Sequence, residues 1–261
     1  MSKLRKFIKE YYDLCGSEVF SNFTDDGRVI CATSDTTNLI WNHVFIYNLR
    51  GISNNNYAVL KDLIKKMKKS FISKNKDLAI YFDKKYINCE LLNFLSENNF
   101  ERFDNEAWVK FEKVKIFNTA DIQCEKITVN STSMFKEFKT ALLKCFDKEY
   151  EIIVNNSISK NIKNKKIVNL LFKNNKDIVG VASVYYNQDV AHLHNFAVVP
   201  EFRGRGFAKN MLKQIFDYVS QELKLSLILQ CDSEYVEMFY TKLGGKTFYR
   251  RYGFVTKIKK D

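Results

Sequence analysis

The feature that most constrains this chain is the stretch 191–208, AHLHNFAVVPEFRGRGFA, which holds its only proline and two of its three histidines. Residues 190–198 alternate between polar and apolar character, which predicts a strand, and Pro200 ends it because proline has no backbone N–H to donate. Two glycines follow in RGRGFA, and apolar positions from 207 onwards recur at helical spacing. The stretch therefore predicts a strand, a glycine turn and a helix in that order.

The elements around this stretch predict a mixed α/β (α+β) fold with a mostly antiparallel sheet flanked by helices. Short alternating or apolar runs separated by turns such as KNNKD and NQD predict strands at 124–129, 167–172, 178–186, 190–198 and 225–231. Helical spacing predicts helices at 134–146, 150–159, 207–219 and 235–243. The terminal KTFYRRYGFVTKIK, residues 246–259, is expected to supply two closing strands.

The first half repeats the last part of this order. It has an apolar strand at 43–49, a helix at 57–72, a strand at 78–82, a helix at 90–97 and an aromatic-rich segment at 99–112. Three pairs of apolar residues share one offset of 145 positions: Phe94 and Phe239, Phe103 and Phe248, Val109 and Phe254. This repeat predicts two related domains, 1–120 and 121–261, of which the first lacks the glycine turn and is degenerate.

Composition limits the partners and the compartment. The formal charge is +12 with a pI near 9.2, but the lysines are scattered and form no basic stripe interleaved with aromatics, which argues against a nucleic-acid partner. No apolar run is long enough to cross a bilayer, and the first residues lack the pattern of a signal peptide. The six cysteines show no CxxC spacing for zinc. We expect a cytoplasmic protein with no metal and no membrane partner.

The glycine turn has the chemistry of a phosphate site. Gly204 and Gly206 let the backbone approach a ligand closely, and the helix that follows presents unpaired N–H groups at its positive end. Arg203, Arg205 and Lys209 add positive charge. A Walker loop would need Gly-Lys-Ser or Gly-Lys-Thr, and a dinucleotide fingerprint would need a small residue where Lys209 stands. A different ligand with a phosphate or pyrophosphate is therefore expected.

The pattern Arg203-x-x-Gly206-x-Ala208, placed just beyond AVVP, resembles the coenzyme A loop of the GNAT superfamily of N-acetyltransferases. The resemblance covers residues 121–261. It implies a GNAT acyltransferase fold, here in tandem, and acetyl-CoA as co-substrate, with pantetheine lying along the splayed end of the fourth strand. Carried over to this sequence, it implies that the cofactor-binding residues are Phe196, Ala197, Val198, Arg203, Gly204, Arg205, Gly206, Phe207, Ala208 and Lys209, mainly through their backbone.

The two histidines of this strand are candidate proton acceptors. Strand periodicity places His192, His194 and Phe196 on one face. A primary amine, with a pKa of about 10, is protonated at neutral pH, and an imidazole that titrates near 6.5 can take its proton. AHLHNFAV also resembles the fourth strand of arylalkylamine N-acetyltransferases, in which a His-x-His pair relays a proton. His194 is the first candidate and His192 the second, and a purely structural role for both stays open.

Tyr240 is the candidate proton donor. MFYTKLGG resembles the family's Tyr-x-Lys/Arg-x-Gly segment, which implies that the Tyr240 phenol protonates the departing sulfur. The sequence departs from the family at Gly245, where phenylalanine is usual, and at Ser233, near the usual position of an asparagine that contacts coenzyme A. The alternative is that Tyr240 is an ordinary packed aromatic residue.

Together these features predict an N-acetyltransferase that moves an acetyl group from acetyl-CoA to a primary amine of a small molecule or peptide by direct attack. One alternative is a non-catalytic acyl-CoA-binding or regulatory protein. Another is an acetyltransferase that acts on RNA or a ribosomal protein. The sequence does not identify the acceptor or the oligomeric state.

Overall fold

The computed structural model describes residues 8–12, 22–34, 39, 42–48, 57–73, 76–115, 122–127, 132–146, 150–151, 154–155 and 163–257. The strands in these ranges are β1 (Asn22–Asp25), β2 (Val29–Thr33), β3 (His43–Ile46), β4 (Leu78–Asp83), β5 (Glu101–Phe111), β6 (Gln123–Ile127), β7 (Ile167–Asn174), β8 (Asp177–Tyr186), β9 (Val190–Val198), β10 (Ser226–Cys231) and β11 (Gly245–Thr256). The helices are α1 (Tyr57–Ile72), α2 (Cys89–Glu97), α3 (Thr132–Cys145), α4 (Phe207–Asp217) and α5 (Glu234–Lys242), and residues 8–12 are also helical. No helix in these ranges is long and apolar enough to span a membrane.

The chain divides into two compact units whose segments interleave. The first unit contains Met1–Glu18 and Ala107–Tyr249, and the second contains Val19–Glu106 and Arg250–Asp261. Because of this division, β5 and β11 each contribute residues to both units. The predicted boundary between residues 120 and 121 lies outside the described residues, and the assignment of two domains stays a prediction.

The first unit is built on a mixed sheet in the order β11-β5-β10-β9-β8-β7-β6. β9 and β10 run parallel, whereas β10 pairs antiparallel with β5, and β6 to β9 pair antiparallel in sequence. Met211 and Leu212 of α4 pack in one core cluster, and Phe138 and Leu142 of α3 pack in another with Leu171 of β7 and Val181 of β8. A mostly antiparallel sheet flanked by helices, as predicted from the sequence, is confirmed.

The second unit has the strand order β1-β2-β3-β4-β11-β5, with β3 and β4 parallel. The helices α1 and α2 supply Leu60, Ile64, Leu91 and Phe94 to its apolar core. Its buried polar centre is an ion pair in which Arg251 Nε and Nη2 lie 2.6 and 2.8 Å from the two oxygens of Glu106. These residues are 145 positions apart, the offset of the predicted repeat.

The predicted elements agree with the structure in most places. The helix at 57–72 and the strand at 190–198 coincide with α1 and β9, whereas most of the predicted helix at 150–159 lies outside the described residues. The expectation of two closing strands is wrong, because β11 continues without interruption. Gly253 does not make a turn there: a Cβ at this position would lie 2.8 Å from the Phe103 ring, so this glycine permits close packing.

The strand pairing predicts that residues 121–261 do not fold as an independent domain. Such a fragment lacks β5, which pairs with β10 and contributes the fully buried Val109 and Phe111 to the first core. We expect the fragment to show no cooperative thermal unfolding by circular dichroism, whereas a fragment of residues 101–261 recovers at least part of the transition. Cooperative unfolding of both fragments with equal midpoints contradicts this prediction.

Candidate active site

The site begins where two parallel strands separate. The register of β9 and β10 ends with the pair Leu193 and Leu229. Beyond it β9 continues to Val198 and β10 to Cys231, so the β10-facing backbone of residues 194–198 has no partner in that register. Backbone N–H and C=O groups need hydrogen-bonding partners. The separated strands therefore offer an edge along which an amide-containing ligand can lie.

At the same point β9 contains one residue more than β8. The register pairs Val181 with Ala197 but Ser183 with His194, which is the signature of a β-bulge. Asn195 lies in this bulge with a φ of 52°, in the left-handed region that asparagine tolerates better than most residues. The bulge changes the direction of the side chains that follow it.

This change corrects one expectation from the sequence. Strict alternation placed His192, His194 and Phe196 on one face. His192 and His194 do share a face, with ring centroids 4.4 Å apart, but Phe196 packs with Leu193 in the cluster that contains α4. The prediction for Phe196 is wrong because the extra residue shifts the alternation by one position.

The glycine turn follows the end of β9 and is exposed. Gly204 and Gly206 have φ values of 77° and 83°, and a Cβ built on either would meet no atom within 4 Å. Arg203 Nε donates a hydrogen bond to the carbonyl of Val198, 3.1 Å away, which ties the turn to the strand. The backbone of the glycine turn is thus held in place, and the space beside Gly204 and Gly206 is open to a ligand.

The start of α4 is suited to an anion. Gly206 is its N-cap and no side chain caps this end, so N–H groups of the first turn lack intrahelical acceptors and the helix dipole is positive there. Arg203 and Arg205 are exposed beside it. The structure therefore brings residues 203–209, predicted from the sequence to bind a ligand, to one helix start whose residues 203–206 are exposed and which fits a phosphate group.

The two histidines lie in an aromatic cluster. The Tyr11 ring stacks on His194 at 5.1 Å and lies 4.8 Å from His192. Tyr185 contacts His194 edge-on at 4.8 Å, and Trp108 contacts His192 at 5.7 Å. In the part of the chain that the structure describes, no group of three or more His, Cys, Asp or Glu side chains could hold a metal ion.

Burial sets the protonation of His194. Its Nε2 is buried, and within the described residues this atom neither accepts nor donates a hydrogen bond. Burial lowers the pKa of His194 to about 3, because transfer of the charged imidazolium out of water is unfavourable. His194 is therefore neutral at physiological pH, in the form that can accept a proton.

Tyr240 lies in α5 and is also buried. Its ring contacts Phe239, Phe111 and Phe196 at 5.3, 6.1 and 6.5 Å between centroids. Burial, followed by the electrostatic influence of Cys231 and Asp232, raises the pKa of Tyr240 well above its ordinary value. The phenol is therefore protonated at neutral pH, as a proton donor must be.

Sequence reasoning missed Tyr11 as a neighbour of the histidines. Tyr11 belongs to the helical residues 8–12 and shares the first unit with β9, although about 180 positions separate it from the strand. The sequence signal is weak, because YY at 11–12 is one of many aromatic pairs in a tyrosine-rich chain.

One protein-family model matches most of the first unit. Residues 132–245 match the model of the family described as Acetyltransferase (GNAT) family. This segment extends from α3 to the start of β11 and contains the separated strands, the glycine turn and Tyr240. The resemblance predicted from the sequence is confirmed. The sequence has no significant match among curated proteins.

Solved structures agree on the fold at low sequence identity. A GCN5-related N-acetyltransferase from Kribbella flavida has a TM-score of 0.67 at 10% identity, covering 96% of this chain and 94% of its own. A functionally unknown conserved protein from Staphylococcus epidermidis has 0.66 at 15%, covering 91% and 94%. A tandem GNAT protein from the clavulanic acid biosynthesis pathway has 0.52 at 10%, covering 91% and 82%. These similarities show a GNAT fold.

The aromatic cluster predicts that Tyr11 controls the basicity of His194. Tyr11→Ala removes the ring stacked on the imidazole, admits water, and should raise the pKa of His194 from about 3 towards 6.5. The measurement is an NMR titration of the imidazole C–H signals, assigned with His192→Gln and His194→Gln. An unchanged titration in a folded Tyr11→Ala variant contradicts the prediction.

Proposed function

We propose that this protein transfers an acetyl group from acetyl-CoA to a primary amine, because residues 132–245 match the model of the Acetyltransferase (GNAT) family. The observation that carries the proposal is the exposed, open glycine turn at the uncapped start of α4. It lies directly after a strand that has separated from its neighbour. A pantetheine arm can follow the strand while the pyrophosphate meets the helix start.

The backbone performs most of the proposed binding. Phe196 and Val198 offer N–H groups along the separated strand, with Ala197 between them, and the turn from Gly204 to Lys209 holds the pyrophosphate. Acetyl-CoA supplies the activated acyl group as a thioester. The Phe196 N–H stabilises the negative charge that develops on the thioester oxygen during attack.

Two side chains carry the proposed proton transfers. His194 Nε2 accepts a proton from the ammonium form of the acceptor, directly or through water, with His192 beside it. The freed amine nitrogen bonds to the acetyl carbon, the carbon–sulfur bond breaks, and the Tyr240 O–H gives its proton to the sulfur. The nitrogen then releases its second proton, which returns through water to the Tyr240 oxygen, and His194 passes its proton to solvent. The products are the N-acetyl amine and coenzyme A, and no covalent enzyme intermediate forms.

The remaining parts of the proposal come from the sequence pattern. The acceptor is a small-molecule or peptide amine and the compartment is the cytoplasm. The first half is a degenerate tandem repeat without a cofactor of its own, since after its strand β3 it has ISNNNYAVLKD in place of the glycine turn.

One observation favours a second candidate function, a non-catalytic acyl-CoA-binding protein. Tyr11 covers the histidine face, and His194 Nε2 is buried, so the proton acceptor is not open to an amine in this conformation. A panel of amines separates the two functions. Release of coenzyme A that depends on one amine supports transfer, whereas acetyl-CoA binding without release supports the alternative.

Gly206→Val should abolish acetyl-CoA binding. The valine side chain fills the open space where phosphate approaches the backbone, and it opposes the positive φ. Gly27→Val is the matched control, because Gly27 has a φ of 84° and equally open surroundings in the second unit. Isothermal calorimetry should give one site per wild-type chain, unchanged in the control. Unchanged affinity in Gly206→Val, or two sites per chain, contradicts the proposal.

His194→Gln and Tyr240→Phe should each lower turnover by about 10²- to 10⁴-fold, because each removes a proton-transfer group. Acetyl-CoA affinity should change little. His43→Gln, in the second unit, is the control and should retain wild-type turnover. Comparison with His192→Gln separates a single base from a water-linked pair. If the double variant His192→Gln, His194→Gln keeps wild-type turnover, the histidines are structural.

A further inference from the structure

A chain of side-chain hydrogen bonds ends at the bulge in β9. Ser183 Oγ donates to Asn169 Oδ1 at 2.7 Å, and Asn195 Nδ2 donates to Ser183 Oγ at 3.1 Å. The Tyr150 hydroxyl donates to Asn195 Oδ1. These hydrogen bonds thus join β7, β8 and β9, and they hold the Asn195 side-chain amide from both sides.

Two members of this chain are almost completely buried. Asn169 is 1% exposed and Ser183 0% exposed, on strands whose other inward residues are mainly apolar. A buried polar group without a partner destabilises a protein, so such groups persist when their hydrogen bonds are satisfied. The described bonds satisfy the Ser183 hydroxyl as both donor and acceptor. Their common end point is the Asn195 amide.

The hydrogen bonds to the Asn195 side chain matter because this residue has an unusual backbone conformation. In the register, Ala182 of β8 faces both Asn195 and Phe196, because its neighbours Val181 and Ser183 pair with Ala197 and His194. The left-handed φ of 52° costs a residue with a Cβ more than it costs glycine, and the hydrogen bonds of the Asn195 amide hold the residue in this conformation. The direction of the next backbone N–H, that of Phe196, depends on this conformation.

We propose that Asn195 is a positioning residue whose side chain, locked between Tyr150 and Ser183, holds the bulge so that the Phe196 N–H points at the thioester oxygen of acetyl-CoA. This inference rests on the proposed function, since it requires acetyl-CoA along β9. Asn195 does not contact the reacting atoms. It acts through the backbone, because the hydrogen bonds to the oxygen and the nitrogen of its side-chain amide fix the backbone conformation at the bulge.

The test measures polarisation of the bound thioester without an acceptor. Infrared spectra of [1-¹³C]acetyl-CoA should show a lowered carbonyl stretch on wild-type protein, because a hydrogen bond weakens the C=O bond. Asn195→Gly permits the left-handed φ but removes the lock, and Tyr150→Phe removes one hydroxyl. In both, the stretch should return towards that of free acetyl-CoA. The affinity ratio of acetyl-CoA to CoA should fall about 3- to 10-fold, with CoA affinity unchanged.

Two controls remove the same groups elsewhere in the first unit. Asn175→Gly alters an asparagine with a φ of 55° in the turn between β7 and β8, and Tyr186→Phe removes a hydroxyl that donates to the Lys165 carbonyl. Both should keep the wild-type stretch. If Asn195→Gly fails to fold, Tyr150→Phe decides the question, since it deletes one atom.

The outcomes separate this inference from the proposed function. A wild-type stretch in folded Asn195→Gly and Tyr150→Phe overturns the positioning role and leaves acetyl transfer intact. Binding of acetyl-CoA by wild type with an unshifted carbonyl also overturns the positioning role alone. Absence of acetyl-CoA binding by wild type overturns the proposed function, and this inference with it.

Discussion

The loss of backbone pairing between β9 and β10 after Leu193 and Leu229 is the constraint on which the site depends. A strand edge inside a sheet requires partners for its N–H and C=O groups, and here a ligand can supply them. Pro200 follows within a few residues, so the chain leaves the sheet and reaches the glycine turn at once. Strand edge, turn and helix start therefore form one continuous backbone surface.

Local sequence signals were sufficient for this backbone surface and insufficient for the directions of its side chains. Alternation, proline and glycine predicted β9 and the start of α4 correctly, because each signal acts within a few residues. The face of Phe196 was predicted wrongly, since alternation assumes that each residue advances the strand by one step. Asn195 breaks that assumption, but asparagine is frequent throughout this chain and did not mark the bulge.

Contacts between distant segments could not be read from local patterns. Nothing near Tyr11 indicates that its ring stacks on His194. The strand pairings are similar: β5 pairs with β10 in the first unit, and β11 pairs with β4 in the second. The offset of 145 between apolar residues carried part of this information. It separates Glu106 from Arg251, which are an ion pair in the second unit.

One physical effect prepares both proposed proton-transfer groups. Removal from water disfavours charge, so it lowers the pKa of an imidazole and raises the pKa of a phenol. His194 is consequently neutral and Tyr240 protonated at the same pH, which are the states from which an acceptor and a donor must start.

The same burial weakens His194 as a base. An amine can use it only if water or the amine itself reaches Nε2, and the ring of Tyr11 stands over that imidazole. In the proposed reaction, the access of water or the amine past the Tyr11 ring therefore limits the basicity of His194.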